Sequence, residues 1–397
     1  MNAPIGIPVN DRAQEHFPPP KRVAIVHDWL PEVGGAEHVL GEILDVFPEA
    51  ELFSLLDFIP QADRSFLRGK TVKTSFLQHI PWARRFYRGF LPLMPLAIEY
   101  FDLSKFDLII SSSYAVAKGV LTGPDQLHLC YCHSPARYAW DLQEQYLRQT
   151  RRDKGIRGFL ARALLHYIRL WDCRTPNGVD AFAANSRFIA RRIWKVYRRR
   201  AVVIYPPVTG IHPDEKTDAL KLRSSYLSLG RLVPYKRVDI LIEAFRKMPD
   251  RTLLIIGDGP ERHRLARDLP SNVRLLGRLP QKDVDTALRE ARALLFAAEE
   301  DFGLVPVEAQ AAGTPVIAFG KGGACESVIN NVTGVLFYDQ TAEAVIEAVL
   351  ASESMKFDPD TLKHNAMGFE PRVFRAALRQ WIDAAWRKFS QRRNRGA

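Results

Sequence analysis

The sequence predicts an α/β protein made of two parallel, doubly wound sheets. Three observations carry this prediction. Short apolar runs alternate with helical patterns through both halves, as βαβ connections require. At 397 residues the chain is long enough for two domains of ordinary size. Between the halves, Pro206-Pro207 and the polar stretch from Thr209 to Thr217 interrupt the alternation. The expected divisions are a disordered lead-in at 1–20, a first domain at 21–206, a second at 207–370 and a helical segment at 371–397.

The first domain opens with Lys21 to Asp28, apolar through its middle like a strand covered on both faces. Gly34-Gly35 precedes a helical pattern from Ala36 to Val46. Paired glycines there let the backbone approach a ligand at a helix N-terminus, and equally suit a plain turn. Glu51 to Leu56 reads as a second strand. From Arg64 to Phe101, Arg64, Arg68, Lys70, Lys73, Arg84, Arg85 and Arg88 interleave with Phe66, Phe76, Trp82, Phe86, Tyr87 and Phe90. That mixture suits an interfacial surface on an anionic bilayer. A helix packed on its own domain through the same aromatics is the other reading.

Phe106 to Ser111 is a strand ending in Ser111-Ser112-Ser113. Leu127 to Cys132 is another, and it delivers His133 where open α/β sheets place their ligand crevice. Cys130 and Cys132 alternate onto one face of this buried strand, so with His133 they make no metal site. Gly155 to Trp171 forms a basic amphipathic helix, and Val179 to Asn185 a strand. Ser186 caps a helix from Arg187 to Tyr197.

The second domain restarts with the strand Ser225 to Leu229. Arg231 and Lys236 lie in the loop before the helix Val238 to Lys247. Two cations beside a helix N-terminus suit a diphosphate, with plain solvated cations as the alternative. Leu253 to Ile256 and Val273 to Leu276 are strands that deliver Gly257 and Arg278-Leu279. Val284 to Ala291 reads as a helix capped by the preceding acids of Asp283-Val284-Asp285.

The densest stretch comes next. The strand Ala293 to Ala297 leads to Glu300-Asp301-Phe302-Gly303-Leu304. A helix follows from Val307 to Ala312, with Pro306 in its first turn and Gly313 as its stop, and then the strand Pro315 to Phe319. Phosphate at this turn, with Glu300 and Glu308 gripping hydroxyls on either side, describes a sugar nucleotide. An ordinary βαβ unit with solvated glutamates fits the same spacing. Pro371 to Phe389 closes the chain as a helix with Phe374, Leu378, Trp381, Ile382, Ala385 and Trp386 on one face. The tail from Arg392 to Ala397 is expected to fray.

Composition narrows the function. The net charge is +11, and fifteen Lys or Arg lie between Arg148 and Arg200 against three acids, so this region faces something anionic. No run approaches the ~18 apolar residues of a spanning helix, and the start is not a secretory signal. Four cysteines fit a reduced, cytosolic setting. Asp301-Phe302-Gly303 spells a kinase triplet without the kinase glycine loop, and no P-loop is present. A basic nucleic-acid-binding protein is a competing class, but no nucleic-acid module accompanies the charge.

Taken in order, Gly34-Gly35, His133, Arg231, Lys236, Glu300 and Glu308 resemble a retaining glycosyltransferase of family 4 with the GT-B fold. The resemblance runs from Lys21 to Trp386. The stretch from Tyr131 to Asp141 and Glu299-Glu300-Asp301-Phe302-Gly303 are similar to one branch: mannosyltransferases of bacterial O-antigen and exopolysaccharide assembly, which use GDP-mannose and polyprenyl-diphosphate-linked acceptors. The resemblance implies an acceptor-binding first domain and a nucleotide-sugar-binding second domain, facing across a cleft. The last helix would cross back onto the first domain.

It also implies roles. Arg231 and Lys236 would hold the diphosphate, Glu308 the ribose hydroxyls and Glu300 the transferred sugar. Phe302, Gly303 and Leu304 would give backbone N–H groups, and His133 would bind the sugar near the reacting carbon. Gly34 and Gly35 would border the acceptor, while Arg278 and Leu279 would lie by the base. Asp301 stands where the family usually has glycine, which bears on sugar preference. No metal and no cofactor beyond the nucleotide sugar are expected. The enzyme would sit peripherally on the anionic inner face of the cytoplasmic membrane, without nucleic acid. A UDP-sugar donor is the alternative within the same fold.

Overall fold

The structure, a computed structural model, describes residues 18–150, 152–209 and 224–396. Most of the expected lead-in, and the polar stretch beyond Thr209, lie outside the described residues. The first sheet contains β1 (Val23–His27), β2 (Glu51–Ser54), β3 (Val72–Thr74), β4 (Leu108–Ser113), β5 (Leu127–Cys132), β6 (Ala181–Ala184) and β7 (Ala201–Val203). Its order is β3-β2-β1-β4-β5-β6-β7 and the pairing is parallel. The second contains β8 (Ser225–Leu229), β9 (Thr252–Ile256), β10 (Val273–Gly277), β11 (Ala291–Phe296), β12 (Val316–Phe319) and β13 (Gly334–Phe337). Its order is β10-β9-β8-β11-β12-β13, again parallel.

Both sheets are doubly wound, and this places the site. The strand order reverses between β1 and β4 in one sheet and between β8 and β11 in the other. Crevices for ligands open at the carboxyl ends of strands at such switch points. His27 and Ser112 stand at the first switch, and the Gly230 loop and Glu300 at the second.

The helices that matter are α1 (Gly35–Val46), α2 (Gly155–Arg174), α3 (Arg187–Tyr197), α4 (Val238–Arg246), α5 (Val305–Ala311) and α6 (Pro371–Gly396). Helix α2 is locked to the first sheet from within. Asp172, one of the three acids in the basic region, is buried and accepts from Lys118 Nζ at 2.5 Å, Trp140 Nε1 at 2.7 Å and the Tyr197 hydroxyl at 3.0 Å. Burial works against the Lys118 charge, and Asp172 more than offsets it, so the ammonium stays charged. Helix α6 crosses back onto the first sheet, as the sequence predicts. Phe374, Leu378 and Ile382 are buried among Ile25, Leu40, Leu44 and Tyr131, and Arg375 reaches Glu42 across the joint.

Three local expectations change. Strand β4 runs from Leu108 to Ser113, two residues later than expected at each end, and the Ser111 and Ser112 hydroxyls are satisfied by His128 and His133. The helix expected at Val284 starts at Gln281, behind the extended Pro280, so Asp283 lies in its first turn and not at the cap. Helix α6 continues to Gly396, through Arg and Gln residues that are good helix formers. Among the described residues, no helix is long and apolar enough to cross a membrane.

The α6 joint gives a direct test. Leu378 is fully buried, so Leu378→Ala is expected to cost about 2–5 kcal/mol through lost burial and a cavity. Urea denaturation followed by tryptophan fluorescence measures it; a loss below about 1 kcal/mol would mean that α6 does not complete the first core.

Candidate active site

At the second switch point, β11 runs into a turn whose carboxylates look in different directions. Lys236, from the loop after β8, forms an ion pair with Glu300, and its ammonium lies 5.3 Å from the centre of the Phe296 ring. Burial opposes the Lys236 charge, while Glu300, Tyr235 and Glu308 more than offset that cost and hold its pKa above the ordinary lysine value. The chain turns back at Gly303, φ +83°, where a Cβ would press to 3.0 Å against Phe296. Pro306 then opens α5 in its first turn. Glu308, on α5, has its carboxyl pushed up to about 7, chiefly by burial and further by Asp285.

The neighbouring residue ties the two halves together. Asp301 Oδ1 lies 3.2 Å from Arg137 and 3.1 Å from Arg192, both in the first half. Ser186, which caps α3 through Ile189 N, also donates to the Asp301 carbonyl at 2.5 Å. Glu326 accepts from Arg187 N at 2.7 Å and Phe188 N at 2.9 Å, so a carboxylate of the second half sits on the N-terminus of α3. Opposite, a Cβ at Gly35 would come within 3.1 Å of Leu304. The glycine pair at the start of α1 therefore meets the Phe302-Gly303-Leu304 turn.

His133 ends a buried hydrogen-bonded chain at the first switch point. Its Nε2 lies 2.8 Å from Ser112 Oγ, which is 3.1 Å from His27 Nδ1. His27 Nε2 is 3.4 Å from Glu37 Oε1, and Glu37 Oε2 accepts from Gly34 N at 2.9 Å. With a single proton on His27, Glu37, which only accepts, would hold it on Nε2. Ser112 then donates to His27 Nδ1 and accepts from His133 Nε2–H, leaving His133 Nδ1 as an acceptor. Burial, with His27 nearby, lowers the His133 pKa to about 3, so the ring is neutral.

The sequence-predicted residues come together only in part. Glu300, Lys236, Gly303, Leu304 and Gly35 share the junction between the halves, and Arg137 brings the loop after His133 to it. Arg231 and Lys236 do not share a partner: Arg231 reaches Glu32 of the first half at 3.5 Å. Arg278 and Leu279 follow β10, two strands from β8 on the same edge, beside Asp258.

The family described as "Glycosyl transferases group 1" matches residues 215–367. Residues 215–367 form a glycosyltransferase group 1 domain. This domain contains Arg231, Lys236, Arg278, Leu279, Glu300 and Glu308; His133 and Gly34-Gly35 lie outside it. A GDP-mannose-dependent monoacylated alpha-(1-6)-phosphatidylinositol monomannoside mannosyltransferase of Corynebacterium glutamicum is 35% identical over 40% of this chain and 42% of its own. A GDP-mannose-dependent alpha-(1-6)-phosphatidylinositol monomannoside mannosyltransferase of Mycobacterium tuberculosis is 33% identical over 54% of this chain and 60% of its own. The chain thus spans about half the length of these two relatives.

The fold agrees over a longer range. Anabaena Alr3699/HepE, crystallised with UDP, superposes with a TM-score of 0.63 at 19% identity, over 91% of this chain and 100% of that one. Sucrose-phosphate synthase of Thermosynechococcus elongatus gives 0.64 at 17% identity, over 92% and 99%. Two Rossmann-like domains joined in this way are the GT-B fold.

Sequence reasoning missed several residues around the group 1 domain's cleft. Asp28 accepts four backbone N–H bonds, from Tyr114, Ala115, Val116 and Ala117, at 2.5–3.0 Å. It fixes the loop that follows the serine strand. Ser112, His27, Arg192 and Glu326 escaped for the same reason, since their partners are distant in sequence. Only the serine triplet and an acid at the end of β1 gave a local signal. Cutting the chain at Ser112 is the test. In Ser112→Ala, ¹⁵N NMR of ring-labelled histidine is expected to show His133 losing its single Nε2–H tautomer, with about 1–3 kcal/mol of stability lost. An unchanged tautomer would contradict the proton order deduced above.

Proposed function

We propose that the chain is a retaining glycosyltransferase that moves mannose from GDP-mannose to a polyprenyl-diphosphate-linked glycan at the inner face of the cytoplasmic membrane. The observation that carries this reading is the Lys236–Glu300 pair. It sets a charged ammonium at the switch point of the group 1 domain, beside the turn that meets Gly35 and Arg137 of the other half. GDP-mannose as donor is supported by the GDP-mannose dependence of the two mannosyltransferase relatives.

In this mechanism Lys236 exchanges Glu300 for the donor diphosphate. The space between the Gly230 loop and Phe296 is only about 10 Å³, so a phosphate that reaches it competes for the ammonium. Arg231 and the start of α5 add positive potential. Glu300, once released, accepts from the sugar hydroxyls, and Glu308 accepts from the ribose. Phe302, Gly303 and Leu304 offer backbone N–H groups, and Arg278-Leu279 borders the base. His133 accepts a sugar hydroxyl at Nδ1.

As the bond between the sugar's anomeric carbon and the phosphate oxygen breaks, negative charge grows on the diphosphate and Lys236 stabilises it without a metal. The acceptor hydroxyl enters over Gly34-Gly35 on the same face and bonds to that carbon. Its proton passes to the leaving phosphate oxygen, which retains configuration without a covalent enzyme intermediate.

The exposed aromatics suit a membrane-bound acceptor. Trp82, two residues before Arg84, is 74% exposed and Tyr100 is 75% exposed, and the α2 residues Ile156 and Phe159 are 77% and 71% exposed. Peripheral attachment through this face is part of the proposal.

Incubation with GDP-mannose or UDP-glucose and a pool of lipid-diphosphate-linked glycans, read by mass spectrometry, tests the reading. A mannosylated lipid from GDP-mannose is expected, with kcat/KM lowered about 10²–10³-fold in Lys236→Ala. Transfer from the UDP-sugar alone would reassign the donor, and no transfer from either would reject the activity. The Glu308 carboxyl adds a pH test. Protonated below about pH 7, it accepts fewer hydroxyls; ionised above, it accepts more. GDP-mannose has no group of its own titrating between pH 6 and 8, so its affinity should rise over that window. Glu308→Gln should flatten the profile; a rise that persists in this variant would assign it to another group.

A further inference from the structure

Beside the cleft lies an open pocket of about 500 Å³ whose lining is electrostatically one-sided. Arg84, Arg85, Arg88, Arg152 and Arg231 contribute five guanidinium groups, with Glu32 as the one carboxylate in the wall. Glu32 faces Arg231 at 3.5 Å. Among the described residues, Arg84, Arg85, Arg88 and Arg152 have no carboxylate partner. Instead, Arg85 lies over the ring of Phe86 at 5.4 Å and Arg88 over that of Tyr87 at 5.5 Å. The guanidinium groups of Arg85 and Arg88 rest on these rings, and Arg88 Nε also donates to the Tyr87 hydroxyl at 3.2 Å, so aromatics and not carboxylates hold them, although gathering like charges costs stability. Guanidinium groups that line a cavity without carboxylate partners suit phosphate oxygens, which they bind in a bidentate fork.

Position narrows the ligand. Arg231 lines both this pocket and the small space beside Lys236. Glu32 stands two residues before Gly34, on the side where the acceptor hydroxyl enters. The donor diphosphate belongs to the Lys236 end, so a second anion site here belongs to the other substrate. Phe86 in the lining is exposed, and so are its chain neighbour Trp82 and, a few residues after Arg152, Ile156, Phe159 and Leu160 of α2, which together offer an apolar rim. A ligand held here would lead its diphosphate into the guanidinium groups and its hydrocarbon onto this rim. An inorganic anion would make no use of the rim.

We propose that this pocket binds the diphosphate of a lipid-linked acceptor, with Arg84, Arg85 and Arg88 on its oxygens and the lipid leaving over Phe86 and the start of α2. The inference rests on the glycosyl-transfer reading for the acceptor's identity, and it adds the place where that acceptor is held.

The test uses the full chain and three probes: farnesyl diphosphate, inorganic diphosphate and phosphatidylglycerol vesicles. Isothermal titration is run on wild type and on R84Q/R85Q/R88Q, with GDP binding and the thermal midpoint read in parallel. The expected result is farnesyl diphosphate binding weakened at least tenfold in the triple variant, with inorganic diphosphate binding more weakly than farnesyl diphosphate to wild type. The thermal midpoint should hold. Equal farnesyl diphosphate affinity in wild type and variant would overturn the assignment. So would a variant that loses only vesicle binding, since the arginines would then read lipid headgroups. Inorganic diphosphate binding as tightly as farnesyl diphosphate would overturn the lipid part. Failure of wild type to bind GDP would strike the glycosyl-transfer reading instead, and is read separately from these outcomes.

Discussion

Two adjacent carboxylates, Glu300 and Asp301, set the geometry on which the rest depends. Glu300 is held by Lys236 within the second domain, and Asp301 by Arg137 and Arg192 from the first. One turn therefore fixes both the interior of the nucleotide-side pocket and the position of the opposing domain. Such pairs are not cheap. Burial pushes the Asp301 carboxyl up even against the pull of its two arginines, and ion pairs removed from water contribute little net stability. What they contribute is position, because removing one partner strands the other charge in a poorly solvated place.

In the proposed enzyme that position lets the two switch points work as one site. Each sheet alone supplies half of a cleft: a neutral histidine and a glycine pair from one, an ammonium and a carboxylate from the other. Glu326 on the N-terminus of α3, and Ser186 on the Asp301 carbonyl, close the same joint from the other side. Helix α6 completes the first core from the far end of the chain. Ion pairs and hydrogen bonds make up much of this join, which suits domains that move apart for substrates and close to exclude water.

Much of this was legible in the sequence where the signal was local. Strand β5, strand β8 and helix α3 fall where apolar runs and the Ser186 cap put them. Pro306 and Gly313 bound α5 because each enforces its own backbone geometry. Three things were not legible. Ser111-Ser112-Ser113 looked like a strand end, since hydroxyls read as polar until their histidine partners are known. Arg231 faces Glu32, 199 residues away, a contact that no local spacing announces. The aromatics from Phe66 to Tyr100 divide between the core and the surface, with Phe66 buried and Trp82 and Tyr100 exposed, and their spacing alone did not sort them.

The central claim is that the Lys236–Glu300 turn receives a nucleotide diphosphate. Thermal stability with GDP, UDP or ADP, with and without EDTA, measures it most directly in wild type and Lys236→Ala. A ligand that binds only the folded chain adds about 2.7 kcal/mol at ~100 times its dissociation constant. Stabilisation by GDP that survives EDTA and disappears in Lys236→Ala is expected. No stabilisation by any nucleotide, or a GDP effect that Lys236→Ala leaves intact, would contradict it.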